Sequence, residues 1–177
     1  MFVAAGILSL RCLESFNPVL PYGQVFYKLG TEAENKHNAA QALTYYQKAV
    51  HYHPAFSDAY TRLGFLYKSR ADFVQAQKYF RKALQYNPRD HQALYALGHI
   101  FRQRKNYDLA LKYTETAYND YRLDPYVSLY RYELGIIYAE LGDKANALVR
   151  LKDLRSSGKD QFADQLEKIL RQKWPGS

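Results

Sequence analysis

Residues 59–88 read AYTRLGFLYKSRADFVQAQKYFRKALQYNP, and their pattern decides the fold. Tyr60, Leu63, Gly64 and Tyr67 recur at steps of three and four, which is one face of a helix. Ala76, Tyr79, Phe80 and Ala83 do the same for a second helix. Ser69-Arg70-Ala71-Asp72 makes the turn between them, with Asp72 placed to cap the second helix. Asn87-Pro88 stops that helix, because proline cannot continue one. The small residues have a packing reason: Gly64 and Ala76 fall where the paired helices cross, and larger side chains there would push the axes apart. Glycine inside a helix costs up to about 1 kcal/mol against alanine, so its use at such a position implies a close approach that offsets the cost.

Working outward, the same unit recurs. Gly30, Gly64 and Gly98 stand 34 residues apart, each preceded by a leucine. Ala42, Ala76 and Ala110 follow them at one fixed distance, Ala49, Ala83 and Ala117 at another, and Pro54 and Pro88 close the first two units. A fixed period of this size is the mark of a stacked repeat array. Unit one carries Phe26, Leu29, Gly30 and Ala33, then Ala42, Tyr46 and Ala49; unit three has Thr114 where the aromatic residue stands elsewhere. A fourth unit has Leu134, Gly135, Tyr138 and Ala147, with Leu151 and Leu154 in place of the aromatic residue and the alanine. Gly135 lies 37 residues beyond Gly98, and the extra residues are assigned to the turn at Asp120–Pro125. Residues Gln161–Gln172 form a further amphipathic helix, with Phe162, Leu166, Ile169 and Leu170 on its apolar face. That helix is expected to cap the array, since terminal units of such arrays are degenerate.

These residues carry a resemblance. The run of aromatic residue, Leu-Gly, Tyr, Ala, Phe or Tyr, Ala and Pro is similar to the tetratricopeptide repeat pattern. It is matched nearly fully in units one and two, well in unit three and partly in unit four, over about Gly23–Ser156. The expected fold is all-α: a right-handed α-solenoid of about four helix–turn–helix units plus a C-terminal capping helix. The expected organisation is an N-terminal tail or linker at 1–22, an array at 23–156 in units 23–56, 57–90, 91–124 and 128–156, and the cap and tail at 157–177. The fold hosts many unrelated functions, so the surface has to carry the functional argument.

The resemblance implies that the first helices of the units line a concave groove. Its positions are Tyr27, Thr31 and Glu34 in unit one, Thr61, Phe65 and Lys68 in unit two, Tyr95, His99 and Arg102 in unit three, and Tyr132, Ile136 and Ala139 in unit four. That surface is aromatic and mildly basic, suited to a protein or peptide segment with acidic or aromatic residues. Chaperone-binding members of the family hold a C-terminal carboxylate with Lys and Asn residues and an Arg. The matching positions here are Tyr27, Thr31, Arg62, Tyr95 and His99, and none of them matches. Tyr45, Tyr79 and Tyr113 repeat at the period on the second helices, which argues for a shared packing role on the convex side, where Tyr52, Tyr86 and Tyr118 also belong.

Other classes are weaker. The net charge of +8 favours acidic partners, nucleic acid or anionic membrane, but the cations are spread over the units and form no stripe. Cys12 is the only cysteine, so no intrachain disulfide and no thiolate metal cluster can form. His51 and His53 are two apart and do not share a helix face, and no metal or other cofactor is expected. Asp and Glu are scattered at exposed-looking positions, and no phosphate-binding loop or catalytic constellation is legible, so an enzyme ranks last. Phe2–Leu10 is apolar but about half the length of a bilayer span, and Asn17-Pro18 and Pro21-Tyr22-Gly23 are expected to break any helix there. A cytoplasmic protein is expected, with export or membrane anchoring through residues 1–21 and self-association through the array ends kept as alternatives.

Overall fold

The computed structural model describes residues 19–120 and 126–175. Cys12, the apolar run Phe2–Leu10, Asn17-Pro18 and the turn residues 121–125 lie outside them. Among the described residues there are helices and connecting turns only. In chain order the helices are α1 (Val19–Asn35), α2 (Ala39–Tyr52), α3 (Ser57–Ser69), α4 (Phe73–Tyr86), α5 (His91–Gln103), α6 (Tyr107–Asp120), α7 (Val127–Leu141), α8 (Lys144–Ser156) and α9 (Asp160–Lys173). They pack as the pairs α1–α2, α3–α4, α5–α6 and α7–α8, each pair against the next, and α9 lies across α7 and α8. The result is a tetratricopeptide-type α-solenoid with a C-terminal cap.

The turn inside each unit is written in the sequence at the same place. Asn38, Asp72, Asn106 and Asp143 each accept a hydrogen bond from the backbone N–H three residues on, at 3.1, 3.0, 3.2 and 3.0 Å. This satisfies one of the orphan donors at the start of the second helix. The residue before each cap is left-handed: His37 at φ 57°, Ala71 at 59°, Lys105 at 58° and Gly142 at 80°. Only the fourth unit places a glycine there.

The crossing of each pair follows the glycine rule. A Cβ on Gly30 would lie 2.6 Å from the ring of Tyr46, and one on Gly64 would lie 2.5 Å from the ring of Phe80. Both rings are fully buried. At Gly98 the facing atom is the hydroxyl of Thr114. The fourth unit departs from the pattern. A Cβ on Gly135 would lie 2.5 Å from a methyl of Leu166 in α9, so the facing residue comes from the cap and not from the unit's own second helix. The cap thus fills the slot that the aromatic residue fills in units one and two. Ala163, Leu166 and Leu170 of α9 are buried there, with Phe162 and Ile169 half-buried beside them.

The tyrosines of the second helices are packing elements. Tyr45 stacks on Phe26 at 6.4 Å, Tyr79 on Tyr67 at 5.2 Å and Tyr113 on Phe101 at 5.5 Å. Lys48 and Lys82, also one period apart, lie over the rings of Phe26 and Tyr60 at 5.4 Å each.

One expectation needs correction. Pro21-Tyr22-Gly23 breaks nothing: α1 begins at Val19 and runs through all three. Proline is tolerated here because it falls in the first turn, where backbone N–H groups have no partner within the helix. Gly23 is a close approach, with a Cβ there 2.5 Å from that of His53. The boundary drawn between 22 and 23 therefore falls inside the first helix. No helix among the described residues is long and apolar enough to cross a membrane.

Candidate functional site

The first helices touch their counterparts, α3 with α5 and α5 with α7, and among the described residues the second helices make no comparable contact with one another. The array therefore curves with the first helices inside. Residues one helical turn apart on α3 (Phe65, Lys68) and on α5 (Tyr95, His99, Arg102) share that inner face.

The structure brings five of the expected residues together: Phe65, Lys68, Tyr95, His99 and Arg102. A pocket of about 320 Å³ is lined by Arg62, Phe65, Tyr95, Leu129 and Tyr130, together with His91, Gln92 and Tyr126. Phe65 meets the buried ring of Phe80 edge-on at 5.1 Å, and Tyr95 packs on Tyr130 at 5.7 Å and on His99 at 6.4 Å. Next to the pocket lies a charge cluster. Arg102 donates from Nε to Glu133 Oε1 at 2.5 Å, and Glu133 is 2% exposed. Burial drives the His99 imidazolium down to about 4, and the cations Lys68 and Arg102 push the same way. Burial also lowers Lys68, with Glu133 opposing and Arg102 adding. Tyr95 is pushed up to about 12 by burial and then by Glu133. At neutral pH His99 is thus uncharged, and its buried Nδ1 has no hydrogen-bond partner among the described residues. No oriented nucleophile–base pair arises from it.

The remaining expected residues sit elsewhere or are engaged. In unit one, Thr31 donates to the Tyr27 carbonyl at 3.1 Å, and Glu34 accepts from the Tyr46 hydroxyl at 2.5 Å. Burial first, then this bond, raises the Tyr46 phenol. Tyr27 packs on Tyr46 and Phe56 at 5.5 and 4.9 Å. Thr61 is buried and donates to Asp90 Oδ2 at 2.6 Å, while Asp90 caps α5 through the Ala93 N–H at 3.0 Å. It joins two units. Tyr132 packs on Phe162 of the cap at 5.5 Å, and Ile136 and Ala139 are buried in that same cluster. The cap removes the fourth unit's slots from the inner face.

Sequence reasoning missed Glu133 and Arg62. The view that the acids are merely exposed and scattered fails at Glu133 and at Asp90, which is 9% exposed. A signal existed: Arg62 and Glu133 each stand two residues before a repeat glycine. Arg62 reaches the Tyr27 hydroxyl; burial disfavours its charge, and the Tyr27 contact with nearby Glu34 outweighs that. Among the described residues no group of three His, Cys, Asp or Glu could hold a metal ion.

Comparison with known proteins agrees with this fold. The tetratricopeptide repeat family matches residues 65–128. Those residues belong to the tetratricopeptide repeat family. A solved structure titled "Functional Characterization of Pseudomonas Aeruginosa pilF" is similar, with a TM-score of 0.68 and 20% sequence identity. The match covers 91% of this chain and 80% of that one. At that identity the likeness shows the fold alone. No curated protein matches the sequence. Repeats of this family serve as protein-interaction modules, and this chain carries such a module.

Proposed function

We propose that the chain is a non-enzymatic adaptor or assembly factor that binds a protein segment of acidic or aromatic character along its concave inner face. The observation that carries this reading is the pocket between α3, α5 and α7: aromatic walls from Phe65, Tyr95 and Tyr130 beside the Lys68–His99–Arg102 cluster. Rigid aromatic walls supply large contact area at low entropy cost. Neighbouring cations select charge and orient the segment. Wild type and the Phe65→Ala, Tyr95→Ala, Arg102→Glu triple variant are compared in pull-downs from source-cell lysate, with helicity checked by circular dichroism. Proteins retained by the wild type alone support inner-face binding. Identical profiles from two folded proteins refute it.

A second reading has its own observation. Helix α4 carries Lys78, Arg81 and Lys82 and no acid. An anionic polymer or surface would then bind the outer side, with affinity falling steeply as salt rises. Salt-independent binding removes it. Tethering through residues 1–21 is tested by deleting them: a shortened chain that still sediments with membranes excludes it.

A further inference from the structure

We infer that the inner face holds a two-point site that selects a segment with a bulky apolar side chain in the Phe65–Tyr95–Tyr130 pocket and an aspartate or glutamate nearby, its carboxylate seated between Lys68 and His99. This rests on the inner-face reading above and specifies its ligand.

The charges are unbalanced in a way a carboxylate corrects. Glu133 is bound to Arg102 at 2.5 Å, whereas Lys68 has no ion pair among the described residues. With Lys68 and Arg102 positive and His99 neutral, the cluster keeps one uncompensated positive charge on a half-buried ammonium. Holding that charge away from water is costly without a partner. His99 adds a buried Nδ1 with no hydrogen-bond partner among the described residues. These polar groups come from two adjacent helices, Lys68 from α3 and His99 from α5, and the two sense each other's charge.

The spacing follows from the helices. Phe65 precedes Lys68, and Tyr95 precedes His99, by about one turn each. One turn advances about 5 Å along the axis. Two residues of an extended chain on the same face are separated by about 7 Å. The pocket and the cations are therefore matched by side chains two residues apart in an extended segment. Tyr95 belongs to both points: it lines the pocket and packs on His99. Of the chaperone-tail positions, Arg62 and Tyr95 line the pocket and His99 flanks the carboxylate, while the cation that defines the second point, Lys68, lies outside that pattern.

Seating a carboxylate here couples binding to protons. His99 is faced by Lys68 from α3 and by Tyr95 and Arg102 from its own helix, while the cluster's one acid, Glu133 of α7, acts on Lys68 and Tyr95. A ligand carboxylate next to it favours the imidazolium, so the complex takes up a proton and tightens only as pH falls below about 6, until the ligand's own acid protonates near about 4.

The full chain is titrated by NMR with blocked tripeptides as probes: acetyl-Phe-Ala-Glu-amide, acetyl-Glu-Ala-Phe-amide, and the Gln counterpart of each. The Glu peptides are expected to shift the Lys68 and His99 signals, to raise the His99 midpoint by about one unit or more, and to bind about tenfold more tightly than the Gln peptides. The Lys68→Met variant, which keeps the apolar stem, should lose that preference. Equal binding of Glu and Gln peptides overturns the carboxylate point and leaves inner-face capture standing. A preference that survives Lys68→Met overturns the assignment to Lys68 and His99. If no probe binds, the two-point site is overturned, and the lysate comparison decides separately whether the inner face captures proteins by other contacts.

Discussion

Gly64→Ala tests the packing logic and its link to the inner face together. The added methyl would lie 2.5, 2.6 and 2.9 Å from three ring atoms of Phe80, well inside contact distance. Phe80 is fully buried, and its ring also meets Phe65 edge-on, so the strain is passed toward the pocket wall. Overfilling a packed site costs about 1–3 kcal/mol. Alanine recovers up to about 1 kcal/mol of helix propensity. The net expectation is a loss of about 1–2 kcal/mol, read from urea unfolding followed by circular dichroism. Gly98→Ala should cost at least as much as Gly64→Ala, because the first atom met, the hydroxyl oxygen of the fully buried Thr114, stands nearer than the Phe80 ring and a β-branched side chain is stiff at χ1. A Gly64→Ala protein as stable as the wild type would refute the argument that ring-to-backbone contact is why glycine stands there.

Three further outcomes are expected. Thr114→Val replaces a buried hydroxyl with no partner among the described residues by a methyl of similar shape, and should raise stability by about 1 kcal/mol in the same unfolding assay. Ala71→Gly and Lys105→Gly relieve left-handed backbone at φ 59° and 58°, and each should gain about 0.5–1 kcal/mol at the thermal midpoint, the steric relief exceeding the entropy glycine adds to the unfolded chain. For His99 the folded value of about 4 lies below the ordinary one, so between about 6.5 and 4 the unfolded chain binds more protons. The contribution of His99 is therefore complete above about pH 6.5 and lost as pH falls to about 4. The full shift corresponds to about 3 kcal/mol, and partial exposure reduces the expectation to about 1–2 kcal/mol. The difference between wild type and His99→Gln across that window measures it, and parallel pH profiles for the two would reject it.

The repeat positions were legible because they serve contacts that recur every period. Gly30, Gly64 and Gly98 each report a crossing within one helix pair, and Asp72 reports the turn within its unit. What was hidden depends on partners outside the period. Glu133 is buried by its bond to Arg102 on the preceding unit's helix, and Thr61 by its bond to Asp90. Ile136 and Ala139 leave the inner face because α9 covers them, a contact with no counterpart in units one to three. Pro21 misled because its effect depends on whether it falls in a first turn, and only the observed helix start decides that. At the candidate site, the aromatic and basic character of Phe65, Lys68, Tyr95 and Arg102 was readable, while the neutral state of His99 comes from burial that residue order does not display.

The polar contacts between successive units have a mechanical consequence. Tyr27 with Arg62 ties the first joint, Thr61 with Asp90 the second, and Arg102 with Glu133 the third. The second and third are short, at 2.6 and 2.5 Å, and each of the three involves a residue of the inner layer of helices. A charged hydrogen bond is worth about 1.5–3 kcal/mol, so stretching the array loads these ties one at a time while the apolar stacking between units can slide. The solenoid should then bend as a row of separately sprung hinges, with stiffness set joint by joint. A segment that draws Arg102 away from Glu133 would soften the third hinge alone and let the capped end swing, leaving the curvature of the first three units as it was.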